Sequence, residues 1–380
     1  MPYRFPLASV IACGILFWTA GCSQTALSQP PSAVSAHADL ATSGVINDFI
    51  SAKDPRFCYD GRVDLSLKAG VGLIWQATCA SIEIEGNHLA LEFAQAEGAN
   101  FFDVRVDGQS ATIEVPAGAD TLIDFPLPFS YGRHHVTLFK RSEARAGVVV
   151  FAGLRLAKGS QAWAVLPPQP VLKFEFLGDS ITAGACSEDG LIDQWASRRT
   201  HNSAVSYAAV TASAFGASYL NISVSGMGMV AGYVDVRAPQ LWDRLYPSAK
   251  SPRADLTKWI PDVVFVNFGE NDTSFTHNNG LPFPTSFVET YVAFVRAIRS
   301  TYPRAEIVLL RGGMGGCAND LTLRAAWDSI AAQLESEDPK VAHFAFSHFS
   351  NMHPRVADHQ ALANELITWL QKQKFVPALN

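Results

Sequence analysis

Four short stretches in the second half of the chain carry residue types suited to nucleophilic catalysis. The first is Gly178-Asp179-Ser180, a serine set just past the apolar run 171–177. A hydroxyl at that point is presented at the end of a buried strand, where open α/β sheets bind their ligands. The second, Ser225-Gly226-Met227-Gly228, follows the run 219–224. Glycine there lets a backbone N–H approach a ligand closely. The third is Gly269-Glu270-Asn271-Asp272, after 263–268; an asparagine amide aimed into a cleft can serve as an oxyanion donor. The fourth is His353-Pro354, beyond the run 341–346. Imidazole titrates near neutrality and suits a general base. Each has a plainer alternative when taken singly: a capped turn for Ser180 or Asn271, a simple turn for Gly226, a structural role for His353. What argues for one site is their joint occurrence, each at the end of a different strand. The chain has no G-x-S-x-G nucleophile elbow.

Those positions require a scaffold, and the apolar pattern supplies one. From residue 171 onward, the runs 171–177, 219–224, 263–268, 307–311 and 341–346 suit strands buried on both faces. Helical stretches fall between or after them, at 204–215, 286–301, 321–334 and 357–371. Strand and helix in alternation predict a parallel α/β sheet. Before it, alternating segments at 89–93, 102–106, 111–115, 135–139 and 147–156 are separated by glycine-bearing turns. That texture predicts an antiparallel sandwich or jelly roll over 46–160. Residues 161–170, with three prolines, read as a linker to the α/β domain at 171–380.

Taken together, the blocks resemble those of the SGNH, or GDSL-type, hydrolases, which match here as Ser180 in G-D-S-I, Gly226 in S-G-M-G, Asn271 in G-E-N-D and His353 in H-P. With a jelly roll in front, and with G-D-S-I-T-A-G at 178–184, S-Y-A-A-V-T-A-S-A-F-G at 206–216 and S-G-M-G-M-V at 225–230, the chain is most similar to carbohydrate esterase family two. The resemblance implies a serine esterase that removes O-acetyl groups from polysaccharides of the xylan or glucomannan type; export is read separately, from residues 1–21. The resemblance also implies an acyl-enzyme on Ser180, and proton transfer by His353. The oxyanion would be held by the backbone N–H of Ser180 and Gly226 and the amide of Asn271. No metal or other cofactor is implied.

One position departs from the family pattern, in which an Asp stands two or three residues before the His. Here Ser350 and Asn351 occupy those places. The expectation is a Ser-His dyad, with Asn351 or a backbone carbonyl orienting His353; Asp358 lies five residues beyond, poorly placed to help. Rival readings are a carbohydrate-binding lipoprotein without turnover, and a lipase, thioesterase or acetyltransferase on the same shell. Trp195, Phe275 and Trp327 are candidates for stacking on sugar rings, with core packing as the alternative.

Composition bounds the rest. The 380 residues allow two domains, and 48% hydrophobic with 17% charged content excludes a disordered or fibrous chain. A net charge of −6 without a long Lys/Arg run gives no nucleic-acid footprint. Residues 1–21 read as a signal peptide. They end in Thr19-Ala20-Gly21-Cys22, a lipobox-like pattern with Thr19 where Leu is usual; it makes Cys22 the expected lipidated residue and the lipid the only membrane attachment, with ordinary cleavage after a small-x-small site as the alternative. Removing them deletes one Arg and no acid, taking −6 to −7. Residues 22–45, rich in Ser, Ala, Pro and Thr, read as a flexible tether. Beyond Cys13 and Cys22 remain Cys58, Cys79, Cys186 and Cys317. Disulfides Cys58–Cys79 and Cys186–Cys317 are expected for an exported protein, with four free thiols as the alternative. The spacing of His343, His348 and His353 does not suit a zinc site.

Overall fold

The computed structural model describes residues 46–165 and 172–377. The expected signal peptide (1–21), tether (22–45), lipidation site Cys22 and residues 166–170 of the linker lie outside the described residues.

The N-terminal domain is a sandwich of two six-stranded sheets, in every pair antiparallel. One sheet runs Val63–Asp64, Val71–Leu73, Val149–Ala157, Leu89–Ala96, Gly118–Asp124, with Ile46–Ser51 added on Val149–Ala157. The other runs Ala162–Trp163, Cys79–Gly86, Gly132–Lys140, Asn100–Val106, Gln109–Val115, with Cys58–Asp60 added on Cys79–Gly86. Their inner faces meet in a core that includes Ile82, Ile84, Leu91, Phe93, Phe102 and Phe151. Burying each such side chain contributes about 1.5–3 kcal/mol. Of the strands that the sequence pattern missed, two escaped it for opposite reasons. Gly118–Asp124 is an exposed edge strand. Cys79–Gly86 is buried almost throughout, because at Cys79 and Phe139 the outer face of its sheet packs on Ala204 and Tyr219 of the second domain. Ala162–Trp163, read as linker, instead pairs with Glu83 and Ile84 and belongs to the sandwich.

The second domain holds a five-stranded parallel sheet in the order Ser218–Ser223, Lys173–Gly178, Val263–Asn267, Glu306–Met314, Val341–Ser350. All five expected strands are there. Both faces are covered, which is why their sequences run apolar rather than alternating. On one face Leu177, Ile222, Val264, Val266 and Leu309 meet the helices Phe287–Thr301 and Leu321–Glu337. On the other, Phe174, Phe176, Phe265 and Leu310 meet Tyr207–Ala214 and Val356–Leu370. The order reverses on either side of Lys173–Gly178, and such a switch point opens a crevice at the carboxyl ends of the strands. In register, Gly178 stands between Ser223 and Asn267. Three of the four sequence blocks therefore begin side by side.

The domains share a core rather than a linker alone. Ile74, Trp75 and Ala144 of the sandwich lie in the same apolar cluster as one face of the parallel sheet. Arg62 and Glu175 form an ion pair across the boundary at 2.7 Å, both buried.

The expected disulfides are not formed. Cys58, Cys186 and Cys317 are free thiols. The sheet register explains the first: Cys58 faces Ser81, while Cys79 faces Asp60, so the two cysteines are offset by two residues. Cys186 lies instead against His201 Nε2 at 3.6 Å, and Cys317 beside Glu270. Among the described residues no helix is long and apolar enough to cross a membrane.

Candidate active site

Ser180 opens the short helix Ser180–Ala183 directly after the central strand, and it is 4% exposed. Asp179 caps that helix, its Oδ1 accepting the Ile181 N–H at 3.0 Å. The other oxygen of the same carboxylate accepts from Asn271 Nδ2 at 3.0 Å. Asn271 Nδ2 also donates to the Met227 carbonyl at 3.1 Å. One amide thus links the blocks that follow the first, second and third strands. Burial pushes the Asp179 carboxyl up to about 8, and the neighbouring Glu270 and Asp272 add to the rise; the Ile181 and Asn271 donors oppose it.

Each acid of Gly269-Glu270-Asn271-Asp272 holds a different loop. Asp272 accepts the N–H groups of Met229, Val230 and Ala231 at 2.8, 2.7 and 2.8 Å. This fixes the turn that carries Gly226, where the backbone is left-handed (φ +83°), a conformation glycine adopts without strain. Gly228 is required for a different reason: a Cβ there would stand 1.9 Å from the Ala231 carbonyl oxygen. Glu270 accepts from the Gly316 and Cys317 N–H groups at 3.3 and 2.6 Å, ordering the turn after the fourth strand.

His353 sits in the turn between the fifth strand and the helix Val356–Leu370. Its Nδ1 donates to Asp193 Oδ2 at 2.6 Å, and its backbone N–H reaches the same oxygen at 3.4 Å. A carboxylate acceptor requires the proton on Nδ1, which leaves the Nε2 lone pair for chemistry. Asp193 Oδ1 is paired with Arg355 at 2.8 Å. Burial opposes the charge on Asp193, yet the His353 and Arg355 contacts outweigh it and hold the carboxyl down at about 2. Arg355 also donates to the carbonyls of Cys186, Gly190 and His353, stapling the Asp193 loop to the histidine turn.

This corrects the expectation of a dyad oriented by Asn351. Asn351 is exposed and its amide oxygen lies beside Gly315. Asp193, 160 residues before His353 in the chain, supplies the acceptor. Local spacing around the histidine could not reveal it. The only available signal was an acid in a loop beyond the carboxyl end of the first strand, where ligand-binding residues concentrate. Asp358 accepts instead from His348 at 2.8 Å and from the Arg355 N–H at 2.9 Å.

Of the aromatic candidates, Trp195 is half-buried, with its ring 5.2 Å from that of His353. Phe275 is half-buried and stands edge-on to Tyr233, which is 47% exposed. Trp327 is a core residue, 1% exposed. Among the described residues, Cys186, Asp193 and His353 bring one ligand atom each within 4.8 Å of one another. The Arg355 guanidinium on Asp193 opposes a cation there.

Comparison with known proteins agrees with this architecture. The carbohydrate esterase 2 N-terminal family matches residues 59–167, and the GDSL-like lipase/acylhydrolase family matches residues 176–368. The cellulase/esterase CelE of Acetivibrio thermocellus is 31% identical over 82% of the chain, which spans 39% of that longer protein. An acetylxylan esterase/glucomannan deacetylase of Cellvibrio japonicus is 28% identical, over 85% of this chain and 90% of the relative. A family two carbohydrate esterase from Clostridium thermocellum, solved in complex with cellohexaose, superposes with a TM-score of 0.72 at 29% identity, covering 83% of this chain and 98% of that one. A sandwich of the family two type, joined to a parallel sheet whose strand ends carry the serine, glycine, asparagine and histidine blocks, places this chain in carbohydrate esterase family two of the SGNH hydrolases.

Proposed function

We propose that the chain is an exported esterase that removes O-acetyl groups from polysaccharides of the xylan or glucomannan type, using Ser180, His353 and Asp193. The observation that carries this reading is the Asp193 carboxylate on His353 Nδ1, in a sheet whose strand ends also bear Ser180, Gly226 and Asn271. Ser180 Oγ attacks the acetyl carbonyl while His353 Nε2 takes its proton. The tetrahedral intermediate expels the sugar oxygen, which receives that proton from His353. Water then attacks the acetyl-enzyme, gives a proton to His353, and releases acetate as Ser180 is restored. Asp193 holds the ring in the productive tautomer and offsets the imidazolium charge.

The oxyanion is assigned to the N–H groups of Ser180 and Gly226 and to the Asn271 amide, one of whose N–H bonds is then shared with the substrate. Losing one such donor costs about 3–4 kcal/mol of transition-state stabilisation. Trp195 beside His353 and the exposed Tyr233 near Gly226 are aromatic faces suited to sugar rings. The acetylxylan and glucomannan activities named for a relative 28% identical support the substrate class.

Acetate release from acetylated xylan, acetylated glucomannan and 4-nitrophenyl acetate, compared with 4-nitrophenyl butyrate, tests the reading. Turnover of the acetyl esters is expected, with Ser180→Ala below a few per cent of wild type and equally well folded. Release from none of them would instead favour a glycan-binding protein. Export with lipid on Cys22 belongs to the same proposal and rests on residues 1–22. The full-length protein should partition into detergent, and Cys22→Ala should not; equal behaviour would leave only a cleaved leader.

A further inference from the structure

The sandwich could be an appended glycan-binding module or a working part of the hydrolase, and its buried polar residues decide between these. Lys140, Arg141, Ser142 and Glu143, at the end of the strand Gly132–Lys140, are all at most 3% exposed. Such a run of charge is costly to bury unless every member is paired. Lys140 and Ser142 are satisfied within the sandwich, by the Ser142 and Glu143 carbonyls and by the Phe101 backbone, and Arg141 donates in part to Asp103 and Thr112. The partners of Glu143 and of the other end of Arg141 lie in the hydrolase domain. Ser225 Oγ, the residue before Gly226, donates to Glu143. Arg198 donates to the same carboxylate, and His201 Nδ1 lies 3.4 Å from it. Arg141 pairs with Glu188 and donates to the Arg199 carbonyl at 3.3 Å. The loop that delivers Asp193 is therefore gripped near both of its ends by the sandwich. Arg145 adds a contact to the Ser225 carbonyl at 3.3 Å. Gln76 of the sandwich donates to Asn221, which in turn donates to the Thr182 carbonyl in the helix opened by Ser180. Burial alone would raise the Glu143 carboxyl, but His201, Arg198 and Ser225 together hold it below its ordinary value.

We propose that Glu143 is a positioning residue for catalysis, through which the sandwich sets two separate parts of the active site at once: the Gly226 turn and the Asp193 loop. The proposal rests on the esterase reading above. Glu143 touches neither substrate nor reacting atoms; it acts through Ser225 and through the Arg198–His201 segment. The sandwich is accordingly a fixed wall of the active site. Misplacing a reacting group by about 1 Å can cost ~10²-fold in rate, so a carboxylate that holds two such groups should matter more for turnover than for binding.

The test is steady-state kinetics on 4-nitrophenyl acetate with Glu143→Gln and, as a milder change that leaves the charge in place, Ser225→Ala. Gln keeps the shape but replaces one accepting oxygen with a donor. Both variants are expected to lose kcat, Glu143→Gln by about 10²-fold and Ser225→Ala by about 10-fold, with KM within twofold of wild type. Glu143→Gln combined with Asp193→Asn should fall short of the product of the two single losses, because both act on the orientation of His353. If Glu143→Gln fails to fold, the Ser225→Ala split between kcat and KM decides the matter alone. Folded variants with kcat within twofold of wild type, or full multiplicativity with Asp193→Asn, would overturn the positioning role while leaving the esterase reading intact. A wild-type protein that hydrolyses no ester would overturn the esterase reading instead.

Discussion

Asp193 and Asn351 compete for one task, and the structure separates them by geometry. A carboxylate oxygen 2.6 Å from His353 Nδ1 both fixes the tautomer and offsets imidazolium charge; an exposed amide beside Gly315 does neither. Asp193→Asn should therefore lower kcat steeply, bounded by the roughly 10⁴-fold loss seen when a triad histidine is mis-tautomerised. Asn351→Ala should leave kcat within about threefold. The reverse ranking in initial-rate assays would restore the Asn351 reading. Asp193 also links acidity to stability. Its folded carboxyl is held at about 2, below its unfolded value near 3.9, so its contribution is present above pH ~4 and is lost as pH falls through 2. The melting-temperature gap between wild type and Asp193→Asn should narrow steadily from pH 5 to pH 2 in thermal scans.

Among the elements, the three loops that follow the first, second and third strands are tied to one another by buried acids. Asp179 is the costliest of them. With its folded carboxyl pushed up to about 8, the folded state binds a proton that the unfolded state has released above pH ~4. Stability from this group is complete below pH ~4 and declines as pH rises through 8. Asp179→Asn, neutral at every pH, should flatten that decline. Differential scanning fluorimetry from pH 6 to 9 should show the variant gaining a few °C on wild type at the alkaline end, with ~2–4 °C per kcal/mol as the scale. Activity should fall in the same variant, since an NH2 in place of one accepting oxygen leaves either the Ile181 N–H or the Asn271 amide without its acceptor. A variant that tracks wild type across the range would show that Asp179 is ionised in the fold at neutral pH.

At the scale of the whole molecule, the sandwich and the parallel sheet stabilise each other. Arg62 reaches from the sandwich to Glu175 on the central strand, and it also donates to the Trp242 carbonyl at 2.5 Å. Arg62→Met would leave a buried carboxylate without its partner, a change that typically costs about 3–5 kcal/mol. Adding Glu175→Leu should recover most of that loss, because a paired removal deletes the desolvation cost along with the attraction. Urea melts of the single and double variants measure both quantities. A single variant within 1 kcal/mol of wild type would mean that the domain boundary is held by its apolar core alone. That core, with Ile74, Trp75 and Ala144 set among hydrolase residues, makes the two domains one folding partnership.

Hydrophobic period and block order are local properties, and they were legible. Short doubly buried runs marked all five parallel strands, alternating segments marked the sandwich, and the blocks at Ser180, Gly226, Asn271 and His353 fell at strand ends because a parallel sheet puts those ends on one side. What stayed hidden depended on contacts between distant segments. The Cys58–Cys79 pairing failed because strand register offsets the two by two residues, a quantity no spacing encodes. Asp193 could be matched to His353 only after the sheet had closed a 160-residue loop between them. Glu143 looks like an ordinary surface acid in the sequence; it becomes a buried hub only when the sandwich docks against Ser225, Arg198 and His201. A side chain's neighbours along the chain set its secondary structure, but its charge partners come from whichever segments tertiary packing brings within about 3 Å.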